Sequence, residues 1–560
     1  MKCKKAETER LIYAGIFLFA LSIRLMGLGN SPLSDHEAVS AVEALSIARA
    51  DPIGMGAQAG YVGLSALTFF LLEASVFLAR LWPALIGSLI VFLPYLWREK
   101  IGYQASVILA AGLALDPLLL AGSRQAGSPI IALIGLLLGI SLLYRGKAWM
   151  AGIFFAVGML GGESFWLGMV ILTLTWGVGR FLKLASFPVT MPEKLNTKEL
   201  IVSFLAALLI IASSFGLYPA GLSGIMTGFI AFTERFYLPS GILFWQPLLA
   251  LLAYQLLPFI LGVWAGVKAW RGPDGENRDL SLWVVVGLLL IMIIPGRQIL
   301  DLLWVVVPFW ALAVKVFPAF ISVPEKKKTS LWALGLFTCI MLGYISMNLK
   351  SLAGPNLLTA NASGYLIAIG AGILLLILTV VLIGLGWQFK FAWRGLVLGS
   401  SAFGLLLMLS SSFRIIRVPD QASSELWRLG KEIPLSDLSV DIMSDLMDRY
   451  AGEQSGAAVA VINLPDPDIA WVLRGFDTVK FYTHLPEEQQ PEFVLTKMEE
   501  IPQLTTNYRG QALTWYRWPD WKGMSFLDHL RWLVNRHVSY AETEVILWVR
   551  SDLFLDRMTD

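Results

Sequence analysis

The chain has 560 residues, of which 56% are hydrophobic and only 15% are charged, and its mean hydropathy is +0.66. This composition excludes a string of soluble domains and indicates a protein embedded in a membrane. The 43 Lys and Arg residues nearly balance the 41 Asp and Glu residues, which excludes a strongly basic nucleic-acid binder. Two cysteines, Cys3 and Cys339, supply neither a disulfide framework nor a thiolate metal site.

Long apolar runs recur over the first three quarters of the chain and predict about thirteen membrane spans. The first run, residues 11–28, follows several basic residues, carries Arg24 and lacks a small-residue cleavage site. We therefore interpret it as a retained span and not as a signal peptide. The other runs centre near residues 90, 111, 136, 155, 175, 209, 257, 288, 308, 339, 375 and 403.

Basic residues are divided unequally between the two sets of loops that join these spans. The set that includes the N-terminus has about 21 Lys and Arg residues, and the opposite set has about six. Because cytoplasmic loops carry the excess of basic residues, we expect the N-terminus to lie inside. With an odd number of spans, the C-terminal segment would then lie outside a cytoplasmic membrane that the chain crosses many times.

Two segments on the predicted outer side are long. The first outer loop, 30–79, holds an apolar stretch, 61–78, that is interrupted by Glu73 and predicts a helix lying on the outer leaflet. The segment 414–560 alternates strand-like and helix-like runs and predicts a small α/β domain after a transmembrane domain, 1–413. Its strand-like runs are 457–464, 479–482, 493–496, 512–518 and 544–549, and its helix-like runs are 425–429, 469–474 and 526–536.

Charged residues recur at the outer ends of the predicted spans and in the short turns between them. An ionisable group in hydrocarbon is costly unless it is paired or hydrated. Six such residues are found, and a position at the tip of a loop would explain any one of them. Three of the six lie within apolar segments, however, so the set as a whole predicts a water-filled site open to the outer face. The six residues are Arg24, Asp116, Arg124, Glu163, Arg297 and Asp301.

The first outer loop carries the motif Pro-Leu-Ser-Asp-His-Glu-Ala at residues 32–38, directly before a helical stretch. Ser34 and Glu37 match an S-x-x-E capping box, and acids in a first turn complement the helix dipole. A structural role is thus available to Glu37, whereas the box does not use Asp35. Since residues two apart do not share a helix face, the two carboxylates are expected to have different roles.

These pieces resemble the C-type (GT-C) glycosyltransferases. The opening Arg24–Gly29 and the motif 32–38 with the Ala-rich helix after it are similar to the protein mannosyltransferase and aminoarabinose transferase family. Within it, the chain looks most like the prokaryotic flippase-activity-associated proteins. Further similar pieces are 79–84, 123–126, 162–164, 295–297 and, in the tail, 467–474.

The resemblance implies an inverting enzyme of GT-C fold that transfers a sugar from a polyprenyl-phosphate donor to a glycan, lipid or protein acceptor at the outer face of the membrane. Relatives carry a catalytic Asp in the first outer loop, commonly within Asp-Glu. Here His36 separates Asp35 from Glu37, so both remain candidates, and Asp35 is favoured. Relatives often have Thr-Lys-Glu near residues 162–164, and here Gly162 replaces the Lys that precedes the Glu. Any phosphate contact made by that Lys must therefore come from elsewhere.

The candidate residues suit this chemistry. Asp35 or Glu37 can accept the proton of the acceptor hydroxyl. Asp35, together with Glu37 or Glu163, could also hold a divalent cation such as Mg²⁺ or Mn²⁺. A guanidinium can hold the donor phosphate and stabilise the charge that develops on it. The phosphate-binding candidates are Arg24, Arg124 and Arg297, and the carboxylates that could orient or neutralise them are Asp116, Glu163 and Asp301.

Two other classes of function stay open. A lipid-linked sugar flippase would show inverted repeats or broken helices, and Pro258 and Pro308 interrupt two predicted spans. A catalytically inactive scaffold of GT-C type would fit the split acidic motif. The stretch 61–78 and the loop 229–237 could line a groove for the polyprenyl tail of a donor or could be ordinary packing helices.

Overall fold

The computed structural model describes residues 2–52, 54–184, 196–272, 275–321, 325–354, 362–417, 424–428, 430, 431, 433, 436–451, 457–464, 466–476, 478–486, 488–500, 502 and 504–554. The helices before residue 417 are α1 (Lys2–Leu25), α2 (Asp35–Ala48), α3 (Ala59–Leu71), α4 (Val76–Ser88), α5 (Phe92–Ile101), α6 (Tyr103–Leu115), α7 (Pro117–Gly122), α8 (Ile130–Tyr144), α9 (Ala148–Met159), α10 (Glu163–Phe181), α11 (Thr197–Ala212), α12 (Ser223–Glu234), α13 (Gln246–Tyr254), α14 (Leu256–Arg271), α15 (Gly275–Ile293), α16 (Leu303–Ile321), α17 (Glu325–Leu352), α18 (Ala362–Gly386) and α19 (Phe389–Ile416).

The tail adds three helices and one sheet. Its elements are α20 (Ser436–Ala451), β1 (Ala458–Ile462), α21 (Pro467–Val472), β2 (Thr478–Tyr482), β3 (Phe493–Lys497), β4 (Tyr508–Pro519), α22 (Phe526–Asn535) and β5 (Tyr540–Arg550). The mainly helical fold class with a C-terminal α/β part is therefore confirmed.

Every apolar run named above falls on a helix. Within the described residues, six helical segments are long and apolar enough to cross a membrane, and four further apolar helices are shorter. The pair α13 and α14 is bent by 106° at the break between them. The number of helices that cross the bilayer, thirteen by the sequence, therefore remains a prediction.

The helical part is built around α16. In the span 299–316, 89% of the residues are buried, whereas only 6% are buried in α18, which exposes apolar side chains all round. Glycines let the helices approach α16 closely: a Cβ at Gly168 of α10 would lie 2.2 Å from the ring of Trp304. Small residues at such contacts are typical of helices packed within a membrane.

Helix α3 covers the first part of the stretch 61–78, for which the sequence predicts a helix on the outer leaflet. Most of its residues are buried in the protein, and the hydroxyl of Tyr61 donates a hydrogen bond of 2.8 Å to the carbonyl oxygen of Ala79. The exposed residues of the stretch are Phe70 to Glu73 and Phe77. Helices α2, α4, α9 and α11 pack around α3, so protein covers its middle, and the placement of the stretch on the outer leaflet remains a prediction.

The tail sheet has the strand order β2-β1-β3-β5-β4. Strand β1 pairs in parallel with β2 and β3, and β5 pairs antiparallel with β3 and β4. All five predicted strands are present, but the predicted helix at 425–429 is wrong: residues 425–428 form a turn, and Leu429 lies outside the described residues. A run that short cannot repay the cost of helix nucleation.

The tail docks on the helical part through two of its helices. The buried ring of His529 in α22 lies 3.2 Å from the side-chain nitrogen of Gln246 at the start of α13. The guanidinium of Arg536, directly after the same helix, donates to the carbonyl oxygen of Ala253 in α13 at 2.9 Å. Helix α21 packs on α2, which places the tail directly over the first outer loop.

Candidate active site

Glu37 is the centre of a buried network in the first outer loop. The guanidinium of Arg80 donates to both carboxylate oxygens, at 2.7 and 2.8 Å, and the backbone N–H of Ala126 donates at 2.9 Å. The backbone N–H of Ser34 adds the capping-box bond at 3.1 Å, as the sequence predicted. Burial would raise the pKa of this carboxyl, but the charges of Arg80 and Arg428 outweigh burial and hold the pKa below its ordinary value.

Arg124 is bound to the end of α1. Its two terminal nitrogens donate to the carbonyl oxygens of Arg24 at 2.8 Å, Met26 at 2.7 Å and Gly27 at 3.1 Å. These are the carbonyl groups that a helix leaves without partners at its C-terminus. A cavity of about 20 Å³ between Arg124, Arg80 and Glu37 has room for only a water molecule.

Asp35 lies apart from this network, although it is only two residues from Glu37. Its backbone N–H donates to the carbonyl oxygen of Lys431 at 3.1 Å, so the tail fixes the start of α2. Within the described residues, its carboxylate accepts one hydrogen bond, of 2.8 Å, from the backbone N–H of His36. Asp35 lines a cavity of about 160 Å³, whose other lining residues are His36, Val39, Lys431, Asp466, Pro467, Asp468 and Tyr516.

Arg24 and Asp116 form a second group, inside the bundle. Arg24 is fully buried and donates to the carbonyl oxygens of Ala20 and Ala114, at 3.1 and 3.2 Å. The carboxylate of Asp116 accepts bonds of 2.8 Å from both Gln255 and Trp310. The charge of Asp116 compensates that of Arg24 in a place that solvent does not reach.

A third group lies at the turn between α15 and α16. Arg235 forms an ion pair with Asp301 and donates to the carbonyl oxygen of Gly296 at 2.9 Å, while Glu163 adds a second negative charge nearby. Arg297 donates to the carbonyl oxygen of Ile242 at 2.7 Å, and its Nε has no partner among the described residues. The partner of Asp301 is thus Arg235, which the sequence placed only in a possible lipid groove.

The six predicted charges do not all share the same partners. Arg124 adjoins Arg24 and the cavity beside Glu37, whereas Arg297, Asp301 and Glu163 lie around the turn between α15 and α16. One chamber shared by all six remains a prediction from the sequence. Several residues of these groups carried only weak sequence signals, because their partners come from distant parts of the chain. The residues that the sequence did not single out for the site are Arg80, Arg235, Arg428, Asp466, Asp468 and Tyr516.

Within the residues that the structure describes, no three His, Cys, Asp or Glu side chains are grouped so that they could hold a metal ion. Asp35 and Glu37 face different surroundings, and Glu163 lies near Arg235. A divalent cation at these three carboxylates is therefore left as a prediction from the sequence.

No protein-family model matches the chain, and no curated protein matches it in sequence. Two solved structures match its fold over nearly the whole length. ArnT from Cupriavidus metallidurans bound to undecaprenyl phosphate has a TM-score of 0.54 and 13% identity, over 96% of this chain and 98% of that chain. ArnT from the same organism in the apo state gives 0.54 and 12%, over 98% and 99%. The chain therefore has the GT-C fold of ArnT, with a many-helix membrane domain followed by an α/β tail.

Proposed function

We propose that this protein transfers a sugar from a polyprenyl-phosphate donor to an acceptor at the outer face of the cytoplasmic membrane. The observation that carries the proposal is the end-to-end likeness of the fold to ArnT, a protein solved with undecaprenyl phosphate bound. In the reaction, the acceptor oxygen forms a bond to the anomeric carbon of the sugar while the bond between that carbon and the phosphate oxygen breaks. Polyprenyl phosphate leaves with the electron pair, and the configuration at the anomeric carbon is inverted.

Asp35 suits the role of general base better than Glu37 does. The carboxylate of Glu37 is occupied by Arg80, Ala126 and Ser34, so an approaching hydroxyl has no free lone pair to use. Asp35 is half-buried on the 160 Å³ cavity and accepts only the bond from its neighbour His36 within the described residues. A base must reach the proton that it removes, and this carboxylate can.

Arg297 suits the donor phosphate best among the three arginines that the sequence offered. Arg24 is enclosed in the bundle, and the terminal nitrogens of Arg124 are engaged by the end of α1. Arg297 is only partly buried, and Nη1 is its one nitrogen with a hydrogen-bond partner among the described residues. A guanidinium with unused N–H groups can stabilise the charge on a leaving phosphate.

An aromatic row beside Arg297 offers a place for the polyprenyl tail. The rings of Trp166, Phe229, Phe232 and Phe236 contact one another in turn, edge-to-face or tilted, with centroid distances of 5.1 to 6.4 Å. This row leads to Arg235, whose carbonyl oxygen accepts a bond of 2.8 Å from the backbone N–H of Gly296, next to Arg297. Phe229 and Tyr237 are exposed, as side chains facing lipid would be.

A transfer assay tests the proposed function. Full-length protein is reconstituted in liposomes with radiolabelled undecaprenyl-phosphate mannose or undecaprenyl-phosphate glucose and a mixture of glycan, lipid and peptide acceptors. With the lipid donor, label is expected to pass from the polyprenyl carrier to an acceptor only when the protein is present. With labelled UDP-glucose or GDP-mannose in place of the lipid donor, no label is expected to reach an acceptor. Release from nucleotide sugars, or no release from any lipid donor, would contradict the proposal.

Replacing Arg297 tests the phosphate assignment. Arg297→Ala is expected to lower kcat/KM for the lipid donor by roughly 10²- to 10³-fold, the usual effect of removing one donor that stabilises developing charge. Lys350→Ala removes an exposed positive charge at the end of α17 and serves as the matched control. Equal donor kinetics in the two variants would rule out Arg297 as the phosphate ligand.

A flippase is the second candidate, and one observation favours it. The break of 106° between α13 and α14 brings Gln255 to the buried carboxylate of Asp116, and broken helices with polar contacts occur in transporters. Liposomes containing a fluorescent short-chain polyprenyl-phosphate sugar and a membrane-impermeant quencher would report movement between leaflets. Rapid loss of the protected fraction without sugar transfer would favour the flippase.

A further inference from the structure

We propose that the cavity between the first outer loop and the tail is the acceptor site, and that it takes a carbohydrate acceptor bound through its hydroxyl groups. This inference rests on the proposed function, and it names the acceptor class for that reaction. The cavity is built by two parts of the chain about 400 residues apart in sequence, α2 on one side and the segment around α21 on the other.

Hydrogen bonds to backbone carbonyl groups hold the two sides of the cavity in place. The guanidinium of Arg49 at the end of α2 donates to the carbonyl oxygen of Arg474 at 2.7 Å. In return, Arg474 donates to the carbonyl oxygen of Ala74 at 3.2 Å. Together with the bond from Asp35 to Lys431, these contacts make the cavity a preformed feature of the fold.

The charges of the cavity disfavour a phosphate and favour hydroxyl groups. Asp35, Asp466 and Asp468 contribute three carboxylates to the lining, and Lys431 contributes one ammonium group. That ammonium lies 5.1 Å from the ring centre of Tyr516. Carboxylates accept hydrogen bonds and repel anions at this range. The donor phosphate therefore binds elsewhere, and an uncharged group rich in hydroxyls matches the cavity.

The carboxylates of the tail have acceptor capacity that the protein does not use. The hydroxyl of Tyr516 lies 2.8 Å from Asp466 Oδ2 and 3.0 Å from Asp468 Oδ1, and its single proton can serve only one of them. Asp468 is only 2% exposed, yet its Oδ2 has no partner within the described part of the chain. Buried polar atoms normally have partners, so a ligand hydroxyl would complete this arrangement.

The electrostatic state of Asp468 agrees with a binding role. Burial, together with the charges of Asp466 and Asp35, raises the pKa of its carboxyl to about 6, against the opposing effect of the hydrogen bond with Tyr516. Strained electrostatics of this kind are common at functional sites.

The cavity distinguishes a glycan from a hydroxylated peptide as acceptor. Its volume of about 160 Å³ holds several water molecules, and so a small polyhydroxylated ring. A lone Ser or Thr hydroxyl would reach one carboxylate and leave the spare acceptor capacity of the other two unused. Neighbouring hydroxyls on a sugar ring can place one group on Asp35 and others on Asp466 and Asp468.

Binding can be measured without the reaction. Full-length protein in detergent is mixed with methyl α-mannopyranoside, methyl β-glucopyranoside or methyl β-galactopyranoside, and saturation-transfer NMR reports contact. Signal from at least one glycoside is expected, with loss of signal in Asp468→Asn and in Tyr516→Phe. Asp441→Asn, on the exposed face of α20, is the matched control and should behave as wild type. Equal signals in all variants, or none in wild type, would overturn the acceptor site.

Transfer kinetics separate this inference from the proposed function. Asp466→Asn and Asp468→Asn are expected to raise KM for a glycan acceptor by roughly ten- to a hundredfold, the effect of losing a bond to a charged group, with donor KM unchanged. Asp468→Asn should also have a higher melting temperature at pH 7.5, which a structural carboxylate would not give.

Transfer with unchanged acceptor KM would reject the acceptor site alone, whereas glycoside binding without transfer would reject the proposed enzyme alone. Preferred transfer to a hydroxylated peptide would reject the glycan.

Discussion

Asp35→Asn is expected to abolish sugar transfer, with a loss of roughly 10²- to 10⁴-fold, the usual contribution of a general base. The amide keeps the shape of the side chain but cannot take the proton of the acceptor hydroxyl. The fold should be unaffected, because the carboxylate of Asp35 accepts a hydrogen bond only from the N–H of His36 among the described residues. The measurement is kcat with a lipid-linked sugar donor, alongside the melting temperature in detergent.

Asp51→Asn is the matched control for this prediction. Asp51 lies in the same outer loop just after α2, and its side chain is exposed. The Asp51→Asn variant should transfer sugar at the rate of the wild-type protein. If Asp35→Asn kept its activity within a few fold of Asp51→Asn, the base would have to be another group.

Glu37→Gln is expected to destabilise the protein by about 3–5 kcal/mol, because it leaves the buried guanidinium of Arg80 without its charge partner. Glu37 is only 4% exposed and joins the start of α2, helix α4 and the turn at Ala126. A lower unfolding midpoint in detergent, with loss of expressed protein, is the expected result. The variant Arg80→Met should have a similar effect, and the double variant should lose less than the sum of the two.

The exposed pair of Arg145 and Glu99, with 2.8 Å between its charged atoms, provides the control. Glu99→Gln is expected to leave the unfolding midpoint unchanged, since water screens such pairs. A normal midpoint for Glu37→Gln combined with lost transfer would contradict the structural role and would reinstate Glu37 as the base.

The stabilising effect of Glu37 also has a defined pH range. Its pKa in the folded protein is lower than the ordinary value of 4.5, so the contribution is complete above that value. This contribution to the free energy of unfolding is lost as the pH falls through the depressed pKa, because the Glu37 carboxylate then becomes protonated in the folded protein as well.

The sequence by itself determined the membrane class, the helical runs, the five strands of the tail and the capping box. Each depends on local pattern: apolar length, alternation of side chains or a spacing of three residues. The runs near residues 257 and 308 lie on α13, α14 and α16, and the Ser34–Glu37 spacing gave the first bond of the Glu37 network. The GT-C resemblance rested on short pieces of the same kind, and the fold agrees with it.

Only the tertiary structure decided which charges meet. Arg80 reaches Glu37 across 43 positions, Arg235 reaches Asp301 across 66, and the tail brings Asp466 and Asp468 beside Asp35. A single sequence carries no signal for such pairs, because an ion pair depends on where helices pack and not on spacing along one helix. For the same reason, spacing along the chain could not show that Asp116 meets Gln255 and Trp310, or that neighbouring helices cover the middle of α3.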